Sequence, residues 1–229
     1  MKKVYGIILS GGMGIRMDRN TPKQFIELGG KPLITWSVEA FHACKEIDHI
    51  IIVYNEKYRI QLDDILSQSK YDKLLKLVGG GLSRQGSVNN ALLSHDFNDD
   101  DILVIHDAAR PFVKQDIIIR CINEAIDSNA AGAYIPATDT IAQTENMYVQ
   151  SIPDRKNLYL TQTPQAFSYK VIMDSHEKAK QKGKVDATDD VSLAIDAGYK
   201  VRIVEGDYSN IKITNQHDLD FAKVYINRL

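Results

Sequence analysis

Short apolar runs alternate with segments of helical periodicity along most of this chain. The runs are rich in Val, Ile and Leu and are predicted to be strands: Val4–Leu9, His49–Tyr54, Leu74–Val78, Ile102–His106, Gly132–Pro136 and Lys200–Glu205. The intervening and later segments are predicted to be helices: Leu33–Ala43, Tyr58–Ser67, Arg84–Leu93, Asp116–Ser128, Tyr169–Lys182, Asp189–Ala197 and Gln216–Arg228. Nearly continuous apolar strands are typical of a sheet that is covered on both faces. The alternation therefore predicts an α/β fold with a mostly parallel, twisted sheet and helices on both sides.

The bulk composition is that of an ordinary globular protein and argues against several functional classes. The 229 residues fit one large domain or one domain with an excursion. A net charge of −2 gives no support for general binding to nucleic acid or to a membrane surface. No apolar run approaches the roughly 18 residues that are needed to span a bilayer. The two cysteines, Cys44 and Cys121, are far apart, which predicts free, buried thiols in a cytoplasmic protein.

A glycine-rich loop, Ser10-Gly11-Gly12-Met13-Gly14, follows the first predicted strand. Glycines allow neighbouring backbone N–H groups to converge on an anion. Arg16 and Lys23 add two cations close to this loop in the sequence; they are either ordinary surface cations or phosphate contacts, and the nearby glycines favour phosphate contact. Because the loop follows the first strand of an α/β chain, it predicts a site for a nucleoside triphosphate.

Two common glycine motifs do not match this loop. The chain contains no Gly-Lys-Ser or Gly-Lys-Thr, which a P-loop requires. Gly12-Met13-Gly14 is followed three residues later by Met17 instead of glycine, and the second strand ends too late to supply the usual acidic residue. A dinucleotide-dependent oxidoreductase is therefore disfavoured.

Two further loops follow predicted strands and would lie at the same edge of the sheet. Gly80-Gly81 leads to Arg84 and Ser87 at the start of a helix, either as a simple helix entry or as a site for a base or phosphate. Asp107 ends a buried strand, where a carboxylate is costly unless it binds a metal or hydrogen-bond donors. We therefore predict that Asp107 holds Mg²⁺ and that Arg110 pairs with an anionic substrate. The alternative is an Asp107–Arg110 ion pair that closes the turn.

Two other residues near this edge have competing interpretations. His106 is expected to pack at its strand end instead of acting as a general base, and the remaining histidines lack zinc-ligand spacing. Lys212 lies between apolar neighbours in a predicted short strand, Asn210–Thr214. It is either a surface lysine or, if that strand returns to the same edge, a third phosphate contact.

The stretch 137–160 interrupts the alternation, because it is polar and lacks helical periodicity. Residues 140–142 and 147–149 flank 143–146, which predicts a hairpin that leaves the domain as an arm. The alternative is a structureless surface loop, although about 24 residues is long for one in a compact domain.

An ordered set of motifs resembles a known family. In chain order they are Ser10-Gly11-Gly12-x-Gly14-x-Arg16-Met17, Pro22-Lys23-Gln24, Gly30-Lys31-Pro32-Leu33, His106–Pro111, Asp139-Thr140, Asp154-Arg155, Gln162-Thr163-Pro164-Gln165, Thr188-Asp189 and Asn210–Thr214. Together they resemble the 2-C-methyl-D-erythritol 4-phosphate and ribitol-5-phosphate cytidylyltransferases over essentially the whole chain. The resemblance implies a Rossmann-like fold of the nucleotide-diphospho-sugar transferase type, with a protruding β-arm.

The resemblance also implies an enzyme that transfers CMP from CTP to a polyol phosphate, with Mg²⁺ as cofactor and release of pyrophosphate. The implied catalytic residues are Arg16, Lys23, Lys212 and Arg155, and the implied metal ligand is Asp107. The implied nucleotide contacts are Leu9, Ser10, Gly11, Gly12, Gly14, Gly81, Ser87, Asp107 and Ala108. The implied substrate contacts are Arg110, Thr140, Arg155, Thr163 and Thr188. In such a cytoplasmic, single-domain homodimer (residues 1–229), the 137–160 arm would carry Thr140 and Arg155 into the partner's site.

The motifs differ in which acceptor they favour. Ser10-Gly11-Gly12 replaces the Ala-Ala-Gly that is usual in the methylerythritol enzymes, and the double glycine is commoner in the ribitol-phosphate branch. Arg84–Val88, His106–Arg110 and Thr188-Asp189-Asp190 look more like the methylerythritol branch, which we favour. Ribitol 5-phosphate is the alternative acceptor. A non-catalytic nucleotide-binding module is the alternative from another class, and the presence of every expected cation argues against it.

Overall fold

The computed structural model describes residues 2–12 and 22–228. The strands are β1 (Val4–Ser10), β2 (Glu27–Leu28), β3 (Lys31–Pro32), β4 (His49–Tyr54), β5 (Leu74–Gly79), β6 (Ile102–Asp107), β7 (Ala130–Pro136), β8 (Gln143–Glu145), β9 (Tyr148–Ser151), β10 (Tyr159–Ser168) and β11 (Arg202–Glu205). The α-helices are α1 (Leu33–Ala43), α2 (Arg59–Ser67), α3 (Arg84–Leu92), α4 (Gln115–Ser128), α5 (Tyr169–Gln181), α6 (Asp190–Asp196) and α7 (Gln216–Ile226). These elements confirm the predicted α/β fold, with small shifts at their ends.

The central sheet has seven strands in the order β11-β7-β10-β6-β1-β4-β5. β1 pairs in parallel with β4 and β6, β4 pairs in parallel with β5, and β11 pairs in parallel with β7. β10 is antiparallel to both of its neighbours, β6 and β7. Because β1, β4, β5 and β6 run in the same direction, their carboxyl ends share one edge of the sheet.

β10 was not predicted, and its first residues overlap the predicted arm. Its register shifts between Thr161 and Gln165, and Pro164 lies within that interval. Proline and a run of polar residues are untypical of a central strand, because proline cannot donate a ladder hydrogen bond. The bulge explains why the sequence pattern concealed this strand.

Apolar residues on both faces of the sheet form the core. One cluster joins the sheet to α1, α2 and α4, and a second joins it to α3, α5 and α6. The central strands β4 and β6 are buried along nearly their whole length, as the unbroken apolar runs predicted. A third cluster packs α7 against the start of α1 and Phe112. Of the helices in the described ranges, none is both long enough and apolar enough to cross a membrane.

The arm contains a short hairpin in which β8 pairs antiparallel with β9. Asn146 and Met147 form the turn with φ values of 49° and 66°. Two-residue hairpin turns with positive φ match the twist of the flanking strands, and asparagine tolerates this conformation. The predicted strand at 140–142 and turn at 143–146 are therefore wrong in position, although a hairpin is present.

Gly6→Ala is expected to lower the free energy of unfolding by about 1–3 kcal/mol. Gly6 lies in β1, and an added Cβ would lie 2.5 Å from Cδ1 of the buried Phe41. Urea denaturation measures the change. Gly12→Ala is the matched control, because a Cβ at Gly12 has no neighbour within 4 Å among residues 2–12 and 22–228. Equal unfolding midpoints for the two variants would contradict the predicted clash.

Candidate active site

Two pockets adjoin at the carboxyl edge of the sheet. The larger has a volume of about 570 Å³ and lies against the loops that follow β1, β5 and β6. The smaller has a volume of about 240 Å³ and is bordered by β10 and by the loop that precedes α6. Arg84, Asp107 and Lys212 line both pockets. The predicted convergence of loops on one site is thus present in the structure.

The loop before α3 is fixed by its own serines. Ser83 caps the helix by accepting a hydrogen bond from the Gly86 N–H at 3.0 Å. The Ser87 hydroxyl accepts from the Gly81 N–H at 3.1 Å and donates to the Ser83 carbonyl at 2.9 Å. A Cβ on Gly81 would lie 2.6 Å from the carbonyl carbon of Gly86, so this turn requires glycine at Gly81. The closed turn presents Gly81 and Ser87 to the larger pocket.

Asp107 forms ion pairs with cations from two different parts of the chain. Its Oδ2 accepts from Lys212 Nζ at 2.6 Å, and its Oδ1 lies 3.4 Å from Arg84 Nε. Burial raises the pKa of Asp107, but the charges of Arg84 and Lys212 outweigh burial and hold the pKa well below its ordinary value. The carboxylate is therefore ionised at neutral pH.

Arg110 does not form the ion pair with Asp107 that was the alternative prediction. Its guanidinium donates to the carbonyls of Asn210 at 2.7 Å and Thr161 at 3.2 Å. The Arg110 N–H closes the turn by donating to the Asp107 carbonyl at 2.9 Å. Backbone groups therefore orient Arg110 beside the smaller pocket, which it lines.

His106 holds the loop after Asp107 in place through hydrogen bonds. Its Nε2 lies 3.1 Å from the Arg110 carbonyl, which can only accept, so Nε2 donates and Nδ1 accepts from the Thr163 hydroxyl at 3.0 Å. The Thr163 oxygen in turn accepts from the Asp107 N–H at 3.2 Å. Burial lowers the pKa of His106 to about 4, which leaves the ring neutral at pH 7. The expectation that His106 packs at the strand end agrees with this geometry.

Lys212 reaches the site on a segment that returns to the sheet edge. The Ile213 N–H donates to the Ala109 carbonyl at 2.8 Å. Asp218, in the first turn of α7, accepts from the Thr214 N–H at 2.7 Å, and Asn215 caps that helix as predicted. The predicted short strand is wrong, because residues 210–214 form no strand. Because this segment returns to the edge where the other loops lie, Lys212 meets the condition that was set for a third phosphate contact.

The predicted site residues fall into four groups. Those that line the larger pocket are Leu9, Ser10, Gly11, Gly12, Lys23, Gly81, Ser87, Asp107, Ala108 and Lys212. Those that line the smaller pocket are Arg110, Thr163 and Thr188, together with Asp107 and Lys212. Thr140 and Arg155 are exposed on or beside the arm, and Arg155 donates to the Thr138 carbonyl at 2.6 Å. Gly14 and Arg16 lie outside the described residues.

Sequence reasoning assigned no site role to several residues at the pockets. Gln162 and Gln165 line the smaller pocket, and Asp189 lies beside them as the N-cap of α6. Asp190, one residue further on, is buried and pairs with Arg84 at 2.8 Å. The polar run in β10 and the acidic pair at the start of α6 were the available sequence signals.

The described side chains fit a nucleotide-bound Mg²⁺ better than a metal site made by protein alone. Residues 2–12 and 22–228 contain no cluster of three or more His, Cys, Asp or Glu that could hold a metal ion. Asp107 is an ionised carboxylate that lines both pockets. Mg²⁺ commonly binds through one or two carboxylates together with substrate phosphates and water. Asp107 is therefore the described residue best suited to that role.

Comparison with known proteins decides the family. Residues 4–228 match the family model of IspD, 2-C-methyl-D-erythritol 4-phosphate cytidylyltransferase. The chain belongs to this family. The predicted family and enzyme class, a cytidylyltransferase, are thereby confirmed, and the family implies CTP as co-substrate.

Individual IspD relatives agree with the family match along the whole chain. The protein named 2-C-methyl-D-erythritol 4-phosphate cytidylyltransferase from Geobacillus kaustophilus is 39% identical over 220 residues, which cover 96% of this chain and 95% of the relative. The protein of the same name from Clostridium perfringens strain SM101 is 41% identical over 229 residues, which cover 99% of this chain and 100% of the relative. The solved structure of 4-diphosphocytidyl-2C-methyl-D-erythritol synthase from Anaerococcus prevotii matches with a TM-score of 0.86 and 33% identity, covering 99% of this chain and 97% of that one.

Proposed function

We propose that this protein transfers the cytidylyl group of CTP to the phosphate of 2-C-methyl-D-erythritol 4-phosphate, within isoprenoid biosynthesis. The observation that carries the proposal is the pair of pockets that adjoin at Lys212 and Asp107. The larger pocket suits a nucleotide, and the smaller one suits a phosphorylated polyol beside Arg110. The names of the relatives support methylerythritol phosphate over ribitol 5-phosphate as the acceptor.

The reaction exchanges one phosphorus–oxygen bond for another. A phosphate oxygen of the acceptor attacks the α-phosphorus of CTP, and a new P–O–P linkage forms. The bond from the α-phosphorus to its bridging oxygen breaks, and the electron pair leaves with pyrophosphate. Lys212 lies where the two pockets meet, so it would neutralise charge on the reacting phosphates. Lys23 and Arg16 would stabilise the charge that accumulates on the departing phosphates.

Binding roles follow from the placement of the other residues. Leu9, Ser10 and the backbone of Gly11, Gly12, Gly81 and Ala108, with the Ser87 side chain, would hold CTP. The family resemblance alone adds Gly14 to this set. Thr163 and Thr188 would border the acceptor with Arg110. Asp107 would bind Mg²⁺, which would draw negative charge from the phosphates when it is present.

We further infer a cytoplasmic homodimer. Thr140 and Arg155 line neither pocket of their own chain and are exposed. Around them the arm exposes Met147, Tyr148, Val149 and Ile152, an apolar surface that a second copy could cover. The free, buried thiols of Cys44 and Cys121 support a reducing compartment.

The deciding experiment supplies CTP and Mg²⁺ with each acceptor separately and measures release of pyrophosphate. We expect release with 2-C-methyl-D-erythritol 4-phosphate and a much slower reaction with ribitol 5-phosphate. Faster release with ribitol 5-phosphate would reverse the choice of acceptor. If neither acceptor led to release of pyrophosphate, the assignment of a polyol phosphate substrate would be wrong.

Arg110→Ala is expected to raise KM for the acceptor about tenfold or more and to change KM for CTP less than about twofold. The reason is that Arg110 lines only the smaller pocket of the two. Steady-state kinetics with each substrate varied in turn measures both constants. Arg120→Ala is the control, because Arg120 lines neither pocket and also donates to a backbone carbonyl, that of Glu205, at 2.7 Å. An equal rise in KM for CTP would place Arg110 at the nucleotide instead.

A further inference from the structure

Arg84 occupies an unusual position between two carboxylates. Its Nη1 donates to Asp190 Oδ2 at 2.8 Å, and its Nε lies 3.4 Å from Asp107 Oδ1. Its Nη2 is buried and has no hydrogen-bond partner among residues 2–12 and 22–228. The side chain lines both pockets, and it begins α3 directly after the loop that borders the larger pocket.

The unpartnered Nη2 indicates a ligand. A buried, charged donor without an acceptor is costly, and native structures satisfy nearly all such groups with protein, ordered water, a ligand or an ion. Ser10 Oγ in the larger pocket and Arg110 Nε in the smaller pocket are also buried and unpartnered within the described ranges. All three atoms belong to residues of the pocket walls, so anions bound in the pockets are the acceptors that these groups favour.

Among the described residues, the Asp190 carboxylate contacts the pocket walls through Arg84. Its side chain is 1% exposed, it lines neither pocket, and its Oδ1 lies 3.4 Å from His176 Nε2. Its backbone N–H donates to Gln165 Oε1 at 3.1 Å, which anchors the start of α6 to β10. Burial raises the pKa of Asp190, but the Arg84 charge and the His176 hydrogen bond outweigh burial and leave the carboxyl ionised.

We propose that Arg84 binds the α-phosphate of the nucleotide and that Asp190 is a positioning residue that fixes the Arg84 guanidinium. The α-phosphate is assigned because it is the group that must lie where the two pockets meet. The ion pair with Asp190 prevents the Arg84 side chain from turning fully towards Asp107, so part of its guanidinium stays available to the phosphate. This inference rests on the proposed cytidylyl transfer and specifies how the nucleotide of that reaction is bound.

Comparing cytidine with CMP by isothermal titration calorimetry isolates the phosphate contact. In Arg84→Ala, the affinity for CMP is expected to fall about ten- to a hundredfold, the effect of losing one charged hydrogen bond, while the affinity for cytidine stays within about twofold. Arg202→Ala is the control, because Arg202 pairs with Glu124 at 2.9 Å and lines neither pocket. An unchanged preference for CMP over cytidine in Arg84→Ala would overturn the assignment.

A double-mutant cycle tests the positioning role. Asp190→Asn is expected to lower CMP affinity at least about fivefold in the wild-type background and less than about twofold in the Arg84→Ala background. Additive effects would show that Asp190 acts independently of Arg84 and would overturn this part. If thermal unfolding shows that Asp190→Asn does not fold, Asp190→Glu replaces it, because it keeps the charge but moves the carboxylate. Binding readouts also separate the two proposals, since failure to release pyrophosphate would contradict the transfer reaction alone.

Discussion

Lys23→Ala is expected to abolish measurable turnover, a loss of at least about 10³-fold in kcat, without unfolding the protein. Lys23 lies in a single turn of 3-10 helix, Lys23–Phe25, and lines the larger pocket together with the loop at Gly81. Its ammonium group would stabilise the negative charge that develops as pyrophosphate leaves. A positioned cation contributes most in the transition state, so kcat should fall far more than the affinity for CTP.

The fold should tolerate this substitution, because a buried side chain and backbone hydrogen bonds hold the turn, and alanine keeps the Lys23 carbonyl that accepts from the Ile26 N–H at 3.2 Å. Phe25 is buried and contacts Tyr58, with ring centroids 5.9 Å apart, and the Phe25 N–H donates to the Pro22 carbonyl at 2.9 Å. Lys70→Ala serves as the control, because Lys70 is exposed, pairs with Asp72 at 3.1 Å and lines neither pocket. Pyrophosphate release and thermal unfolding are measured for both variants. A near-normal kcat in Lys23→Ala would remove Lys23 from the phosphate site.

The alternation of apolar runs and helical segments was sufficient to predict the fold class. It succeeded because parallel strands such as β4 and β6 are buried on both faces and therefore read as unbroken apolar runs. It failed at β10, where Gln162, Thr163 and Gln165 turn a central strand into part of the smaller pocket. Polar residues at a functional site override the pattern that a strand would otherwise have.

The loops of the site were predictable for a topological reason. Parallel strands end at one edge, so Gly11, Gly81 and Asp107 had to lie near one another once β1, β5 and β6 were recognised. The partners of Asp107 were not predictable, because Arg84 and Lys212 are distant in sequence and their approach depends on how α3 and the segment before α7 pack. The family resemblance supplied Lys212 as a candidate, whereas its ion pair with Asp107 required coordinates.

Arg155→Ala is expected to be as inactive as Lys23→Ala when each variant is assayed alone. In a homodimer with shared sites, Arg155 of one chain would serve the pocket of its partner. Arg155 is exposed, lines neither pocket of its own chain, and is oriented by the Thr138 carbonyl at the base of the arm. The Arg155→Ala chain therefore keeps an intact pocket with Lys23, and the Lys23→Ala chain keeps an intact arm.

In the proposed homodimer, co-expression of these two variants with different affinity tags would yield a mixed dimer, in which one site would combine the intact pocket with the intact arm. We expect purified mixed dimer to recover about half of the wild-type activity, because one of its two sites is complete. A mixture of Lys23→Ala with Lys212→Ala is the control, since both changes lie in the pocket and one chain cannot correct the other's site. Restoration only in the first pairing requires a residue to cross between subunits. No restoration in either pairing would mean that each chain completes its own site, and the proposed role of the arm would then be wrong.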